Sequence, residues 1–236
     1  ISEAVKRAKV YPTDIDDVIL GAAAQQGTQQ GNIARQSLLR AGLPTSVAGM
    51  SIDRQCASGM MAIATAAKQI IDDGMNITVG GGVESVSLVR NENFRMDNAR
   101  DPWLENEMPE LYMTMIETAE TVADRYGISR ERQDEYALQS QMRTAHAQRN
   151  RFMDDEIVPL KSTMKYYDKE SKTATYHEVN LIKDEGNRPD TSLEGLSALK
   201  PVFKDGIHIS EGSHITAGNA SQLSDGASAS ILMESK

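Results

Sequence analysis

The residue with the clearest capacity for covalent chemistry is Cys56, the only cysteine among 236 residues. It lies in "SIDRQCASGMMAIATAAKQII" (51–71), where a short apolar run gives way to a helical pattern. A cysteine at a helix start faces unpaired backbone N–H groups and the positive end of the helix dipole, which favour the thiolate. The small residues Ala57, Ser58 and Gly59 leave room for an acyl group, and the same N–H groups could stabilise an oxyanion. The pattern therefore indicates a cysteine nucleophile in acyl transfer.

Other interpretations of the same residues stay open on spacing alone. A lone cysteine is often a small buried hydrophobic residue. The glycines at 80–82 do not form the G-x-G-x-x-G pattern of dinucleotide-binding sites. We expect no metal site, because one cysteine is joined only by four scattered histidines, which we interpret as surface or structural residues: His146, His177, His208 and His214.

Composition limits the class of protein. The net charge is −9, with 34 acidic and 25 basic residues, which argues against nucleic-acid binding and requires a local cation for any anionic ligand. No apolar run approaches the roughly 18 residues of a membrane span, so no membrane partner is expected. A single cysteine cannot form an internal disulfide, and this predicts a cytoplasmic location.

Strands and helices alternate in the first part of the chain. Strands are predicted over 17–21, 47–53 and 76–82, with helices over 33–43 and from Cys56 to about Asp73. This alternation predicts an α/β fold with a largely parallel sheet. The second helix has an apolar face at three- and four-residue spacing, predicted to be its buried side: Met60, Ile63, Ala64, Ala67 and Ile71.

The alternation stops near residue 90 and strand-like character returns near residue 210. Between these points the sequence predicts helices over 116–127 and 129–150 and a small β element over 157–182. We therefore predict one α/β domain interrupted by an insertion, with limits at 1–90, 91–210 and 211–236.

Five blocks of the sequence together resemble the thiolase family. "IDRQCASGMMAI" is similar to the family's N-x-x-C-x-S-G signature, although Asp53 replaces the usual Asn, and "VGGGVESVS" is similar to its glycine-rich segment. Three later blocks match in the same order: "ISRERQDEYALQSQMRTAHAQ" followed by "DEIVPL", "DEGNRPDTSLEGLSALKPVF" and "ITAGNASQLSDGASA".

The resemblance implies a thiolase fold, here its N-terminal βαβαβαββ half with an inserted loop domain. The family's C-terminal G-H-P, C-x-G and N-E-A-F motifs do not occur, and by comparison with the family about one strand and one helix are expected to be missing at the front. We therefore expect the C-terminal half to be absent from this chain and the chain alone to be inactive.

The implied activity is that of an acyl-CoA acyltransferase in fatty-acid β-oxidation or acetyl-CoA condensation, either an acetyl-CoA C-acyltransferase or an acetyl-CoA C-acetyltransferase. A 3-ketoacyl-CoA is cleaved to acetyl-CoA and a shortened acyl-CoA, or two acetyl-CoA condense, through an acyl group on Cys56. Coenzyme A is a substrate, no cofactor is permanently bound, and a homodimer or homotetramer is expected. The alternative is a catalytically incomplete CoA-binding or scaffold fragment of the same fold.

Four further site residues are implied by the resemblance. Arg188 matches an arginine near the nucleotide end of CoA, and Ser221, with Ala217 beside it, matches a serine that touches the pantetheine arm. Met115 matches a methionine that lines the acyl and pantetheine tunnel. The alternative for Arg188 is an ordinary surface arginine, whereas Met115 taken alone is equally credible as an ordinary core residue.

Overall fold

The computed structural model describes residues 1–235, which form two compact units. The sheet unit comprises Ile1–Asp97 and the segment that begins at Leu223, and the helical unit comprises Asn98–Gln222. The sequence-based limits were 90/91 and 210/211, so both boundaries of the helical unit lie later in the chain than the pattern indicated.

As far as residue 235, the sheet unit contains four strands and four α-helices, besides two short 3-10 helices. The strands, in the spatial order β2-β1-β3-β6, are β1 (Asp17–Gly21), β2 (Ala48–Ile52), β3 (Ile77–Glu84) and β6 (Gly226–Met233). The α-helices are α1 (Ser2–Ala8), α2 (Ile33–Arg40), α3 (Ser58–Ile71) and α4 (Val86–Val89). Strand β1 pairs in parallel with β2 and β3, whereas β6 runs antiparallel to β3. The predicted largely parallel sheet is confirmed, with one antiparallel strand at its edge.

Strand β1 is the centre of the sheet unit, and all five of its residues are buried. Because successive side chains of a strand point to opposite faces, Val18 and Leu20 join the core beneath α1 and α2, whereas Ile19 packs with Ala62 and Ala66 of α3. A strand buried on both faces explains the continuous apolar run in the sequence.

Helix α3 lies directly on the backbone of the sheet. A Cβ atom on Gly80 would lie 2.7 Å from the Cα of Ile63, so the glycine lets the strand and the helix backbone approach closely. The face of α3 toward the sheet contains Ala62 and Ala66, both fully buried, whereas Met60 and Ile71 are 78% and 77% exposed. The prediction that Met60 and Ile71 form the buried face was therefore wrong.

The helical unit consists of four α-helices and a β-hairpin. The helices are α5 (Pro102–Glu107), α6 (Met115–Tyr126), α7 (Arg130–Arg149) and α8 (Leu193–Ser197), and the hairpin strands are β4 (Leu160–Asp168) and β5 (Thr173–Leu181). The two predicted long helices are confirmed with nearly the same limits. Within residues 1–235, no helix is both long enough and apolar enough to cross a membrane.

Candidate active site

Cys56 lies in the loop that joins β2 to α3, at the edge of the sheet where the three parallel strands end. Its side chain is exposed, and α3 begins two residues later, at Ser58. The expectation that this cysteine is a buried packing residue is thereby excluded for this structure.

Short polar contacts hold the loop in one conformation. Gln55, just before the cysteine, has a φ of 50°, in the left-handed region that costs a side-chain-bearing residue roughly 1–3 kcal/mol. The Ser58 hydroxyl donates to the Gln55 carbonyl at 2.6 Å and accepts from the Arg54 N–H at 2.8 Å. The Asp53 carboxylate accepts from the Gln55 N–H at 2.7 Å. These contacts make the strained turn a fixed feature of the loop.

The N–H groups at the start of α3 are partly used by this loop, because those of Ala57 and Ser58 donate to the carbonyls of Arg54 and Gln55, each at 3.1 Å. Ala57, its N-cap residue, supplies no side-chain hydrogen bond to the helix. A Cβ on Gly21 would lie 2.2 Å from the carbonyl carbon of Ser58 and 2.4 Å from the Gly59 nitrogen, so β1 and the first turn of α3 touch backbone to backbone. The helix N-terminus, with its partial positive charge, is thus held rigidly beside Cys56.

The acidic residue beside the cysteine is turned toward the backbone. The Asp53 carboxylate accepts a hydrogen bond from the backbone N–H of Gln55, and the guanidinium of Arg54 lies 3.2 Å from the sulfur of Met61. Asp53 and Arg54 therefore contact different groups and do not pair with each other.

A second network, which the sequence did not reveal, ties the neighbouring loops together. Glu84, at the end of β3, accepts hydrogen bonds from the Ala23 N–H at 2.8 Å, the Ala24 N–H at 3.3 Å and the Gln29 amide at 2.7 Å. The buried Gln29 side chain in turn accepts from the Ser85 N–H. Only the position of Glu84, directly after a buried glycine-rich strand, could have indicated this role.

The junction between α4 and β6 is held by Asp225. Its carboxylate accepts from the Ser87 N–H at 2.9 Å, the Ser85 hydroxyl at 3.3 Å and the Ser87 hydroxyl. Although burial raises the pKa of Asp225, the hydrogen bonds from Ser87 and Ser85 outweigh that effect and hold the pKa below its ordinary value. The carboxylate form is therefore the one that stabilises this junction.

The other four predicted site residues lie on the helical unit. Met115 is the first residue of α6 and is 72% exposed. Arg188, Ala217 and Ser221 are also exposed. The side chain of Gln222 donates to the carbonyl of Gly186 at 2.7 Å, which brings the segments that carry Ser221 and Arg188 together.

The backbone of Arg188 is held by hydrogen bonds, and its side chain is exposed. Its N–H donates to the side-chain oxygen of Gln141 at 2.8 Å, and its carbonyl accepts from the Thr191 hydroxyl at 2.7 Å. The exposed cation therefore stands on an ordered stretch of chain.

All four histidines belong to the helical unit, so the sheet unit has no imidazole to act as a base for Cys56. His208 contacts Glu110 at 3.1 Å and His214 contacts Asp124 at 2.8 Å. The pKa of Glu110 lies below its ordinary value, because its backbone N–H and the His208 ring both stabilise the carboxylate. Within residues 1–235 no group of three or more His, Cys, Asp and Glu side chains could hold a metal ion.

Comparison with known proteins identifies relatives of the whole chain. The model of the thiolase N-terminal domain matches residues 1–236. The chain is 39% identical to a 3-ketoacyl-CoA thiolase of Bacillus subtilis, over 99% of this chain and 58% of that protein. It is 37% identical to an acetyl-CoA acetyltransferase of Chromobacterium violaceum, over 100% of this chain and 59% of that protein. The chain thus spans somewhat more than half the length of these relatives.

Solved structures give the same result for the fold. The crystal structure of the Bacillus anthracis acetyl-CoA acetyltransferase matches with a TM-score of 0.75 and 40% identity, covering 98% of this chain and 57% of that one. Human mitochondrial 3-ketoacyl-CoA thiolase, solved in complex with CoA, matches with a TM-score of 0.76 and 32% identity, covering 98% and 56%. The sequence blocks, the strand order of the sheet unit and these matches agree: the chain has the thiolase fold and belongs to the thiolase family.

Proposed function

We propose that the protein is an acyl-CoA acyltransferase of the thiolase type, with Cys56 as its nucleophile. The observation that carries the proposal is the exposed cysteine on a strained, hydrogen-bonded turn beside the uncapped N-terminus of α3. Relatives named 3-ketoacyl-CoA thiolase and acetyl-CoA acetyltransferase support this class of reaction.

The proposed reaction forms and breaks a thioester on Cys56. The sulfur attacks the keto carbon of a 3-ketoacyl-CoA. The bond then breaks between that carbon and the carbon that lies between it and the CoA thioester. The electron pair of this bond takes up a proton, and acetyl-CoA leaves. The thiol of a second CoA then attacks the acyl-cysteine, so that a shortened acyl-CoA leaves and the thiol of Cys56 is restored.

The fold supports two parts of this chemistry. Backbone N–H groups in the first turn of α3 beyond Ser58 are proposed to stabilise negative charge on the attacked oxygen, since those of Ala57 and Ser58 already donate to the Arg54 and Gln55 carbonyls. The sheet unit contains no histidine, so an imidazole base for the thiol proton would have to come from outside that unit.

Substrate binding is proposed for the helical unit. Arg188 supplies an exposed cation to the phosphates of CoA in a protein whose net charge is −9. Ser221 and Ala217 contact the pantetheine arm, and Met115 lines the path of the acyl chain. Each of these side chains is exposed and so is open to a ligand.

The test is covalent labelling of the natural full-length protein that contains this sequence. After incubation with acetoacetyl-CoA and rapid acid quench, peptide mass spectrometry is expected to find the acetyl group on Cys56. The variant Cys56→Ala is expected to lose at least about a thousandfold in turnover, as nucleophile removal does in other covalent enzymes.

Met60→Leu is the matched control, because Met60 lies about one helical turn after Cys56 and is exposed. It should leave labelling and turnover unchanged. Full turnover by Cys56→Ala would refute the proposal, whereas CoA binding without labelling of Cys56 would support the non-catalytic alternative.

A homodimer or homotetramer remains our proposal for the assembly. Sedimentation equilibrium of the natural protein at micromolar concentration tests it, and a monomer would contradict it.

A further inference from the structure

Helix α6 carries two carboxylates in the interior of the helical unit. Glu117 and Glu120 are each only 1% exposed. Burying a carboxylate costs free energy unless several hydrogen-bond donors surround it. The donors around Glu117 and Glu120 therefore show which segments these side chains hold in place.

Glu120 is surrounded by the backbone of a loop. Its two oxygens accept hydrogen bonds from the N–H groups of Ser213 at 3.0 Å, His214 at 3.0 and 3.1 Å, and Ile215 at 2.7 Å. A Cβ on Gly212 would lie 2.6 Å from a Glu120 oxygen, so the chain passes directly over the carboxylate. Three consecutive amides of this loop therefore find their acceptor in one side chain.

A second buried carboxylate holds the next turn of the same segment. Asp134 of α7, 1% exposed, accepts from the side-chain amide of Asn219 at 3.0 Å and from the guanidinium of Arg130 at 2.9 and 3.0 Å. The same Asn219 amide donates to the His214 carbonyl at 3.0 Å, and its oxygen accepts from the Thr216 N–H at 2.8 Å. Residues 216–219 are thus fixed from the interior side.

We propose that Glu120 and Asp134 are positioning residues that set the conformation of residues 213–221 and thereby present Ala217 and Ser221 to the pantetheine arm of CoA. This inference rests on the proposed function, since it is CoA that these exposed residues are proposed to meet. Hydrogen bonds from amides to a buried carboxylate are charge-assisted and face little competition from water, so the segment has one strongly preferred conformation.

Glu117 provides a matched comparison on the same helix. It is equally buried and accepts hydrogen bonds from the N–H groups of His208 at 2.6 Å and Ile209 at 3.3 Å. These amides belong to an earlier part of the loop, which carries neither Ala217 nor Ser221. Loss of the Glu117 charge should therefore affect stability without moving the proposed contact with CoA.

The experiment compares Glu120→Gln with Glu117→Gln in the natural full-length protein. Both variants should lower the melting temperature, because each turns one acceptor oxygen into a donor that faces backbone N–H groups. Only Glu120→Gln is expected to raise the KM for CoA, by about tenfold, which corresponds to about 1.4 kcal/mol. Its kcat should change much less than its KM.

Hydrogen exchange provides a readout that needs no substrate. Glu120→Gln should speed amide exchange in residues 213–221 and leave residues 206–209 near the wild-type rate. Glu117→Gln should give the reverse. Uniform acceleration of both segments by both variants would overturn the inference.

A milder variant covers the case in which Glu120→Gln does not fold. Asn219→Ala removes the link between the turn and Asp134 and leaves both carboxylates in place, so it should raise the KM for CoA in the same direction. If the wild-type protein turns over normally and the KM for CoA is unchanged in these variants, the inference is overturned but the proposed function is not. Wild-type protein that neither binds nor turns over CoA would overturn the proposed function as well.

Discussion

The region around α3 and the region around α6 solve the same structural problem by opposite means. Beneath α3, glycines in β1 and β3 and alanines in the helix let two backbones touch without side chains between them. Beneath α6, an irregular loop lies on buried carboxylates that accept its amides. Where strands can pair, the sheet satisfies the backbone, and packing then decides the geometry. Where they cannot, polar side chains must provide the partners.

The first prediction breaks the steric arrangement at its tightest point. In Gly21→Ala the new Cβ would meet the backbone of Ser58 at 2.2 Å, and a backbone cannot rotate away as a side chain can. We expect the free energy of unfolding to fall by about 3 kcal/mol or more, the upper range for overpacked cores. Urea denaturation measures it.

Gly226→Ala is the control for that prediction. It lies in β6 of the same unit, with no atom within 4 Å of an added Cβ. A loss of stability in this variant as large as in Gly21→Ala would show that strand glycines matter for backbone freedom and not for close approach.

The second prediction breaks the polar arrangement. Asp134→Asn leaves the guanidinium of Arg130, 17% exposed, without its charged partner in the interior. We expect a loss of about 2–3 kcal/mol, somewhat below the range for a fully buried pair. Denaturation by urea is again the measurement.

Glu105→Gln supplies the exposed counterpart, because the pair of Arg100 with Glu105 at 2.8 Å is about half exposed on both sides. It should cost less than about 1 kcal/mol. Equal losses in the two variants would contradict the importance of burial.

The third prediction concerns the N-termini of α7 and α3, of which only the first is capped by a side chain. Ser129 caps α7 by accepting from the Arg132 N–H at 3.2 Å, whereas α3 has no such side chain at its N-terminus. Ser129→Ala should lower the free energy of unfolding by about 1 kcal/mol. Ser140→Ala, at an exposed position within the same helix, should be neutral or slightly stabilising, since alanine is the better helix former. The opposite order of the two variants would be inconsistent with a capping role.

The smallest effect is expected where the sheet unit uses a polar contact near its surface. The folded-state pKa of Asp225 lies below its ordinary value of 3.8, so the carboxylate stabilises the fold above that pH. This contribution declines as the pH falls through the lowered pKa. At neutral pH Asp225→Asn should cost less than about 1 kcal/mol, given its exposed location.

The pH dependence of that difference is its test. Thermal unfolding of the wild type and Asp225→Asn should differ at pH 7 and converge as the pH falls through the lowered pKa of Asp225, where both side chains become neutral. A constant difference across this range would assign the effect to packing and not to charge.

The alternation of strands and helices in the sheet unit was predictable from sequence, most clearly at β1, which is buried on both faces and leaves a continuous apolar run. The buried face of α3 was not. That helix is apolar on several sides, so the spacing of Met60, Ile63 and Ile71 was as regular as that of the alanines that pack on the sheet. The deciding feature was the glycines of another strand, which let the strand and the helix backbone approach closely.

The candidate site was predictable in unequal parts. Cys56 stands out as a lone cysteine before a helix, and the resemblance of its neighbours to the thiolase signature makes it the proposed nucleophile. The positioning role of Glu120 and Asp134 was not predictable from the sequence, because acidic residues on amphipathic helices are normally solvent-exposed. Their burial depends on a loop far along the chain, and sequence periodicity carries no information about that contact.

The antiparallel pairing of β3 with β6 has a practical consequence. Glu84 pairs with Gly226, so the point at which the chain leaves the sheet adjoins the point at which it returns. A tight reverse turn in place of the 141 residues from 85 to 225 would therefore keep the strand order intact. The hairpin formed by β3 and β6 is thus the position at which the sheet accommodates a long insertion without a change in strand order.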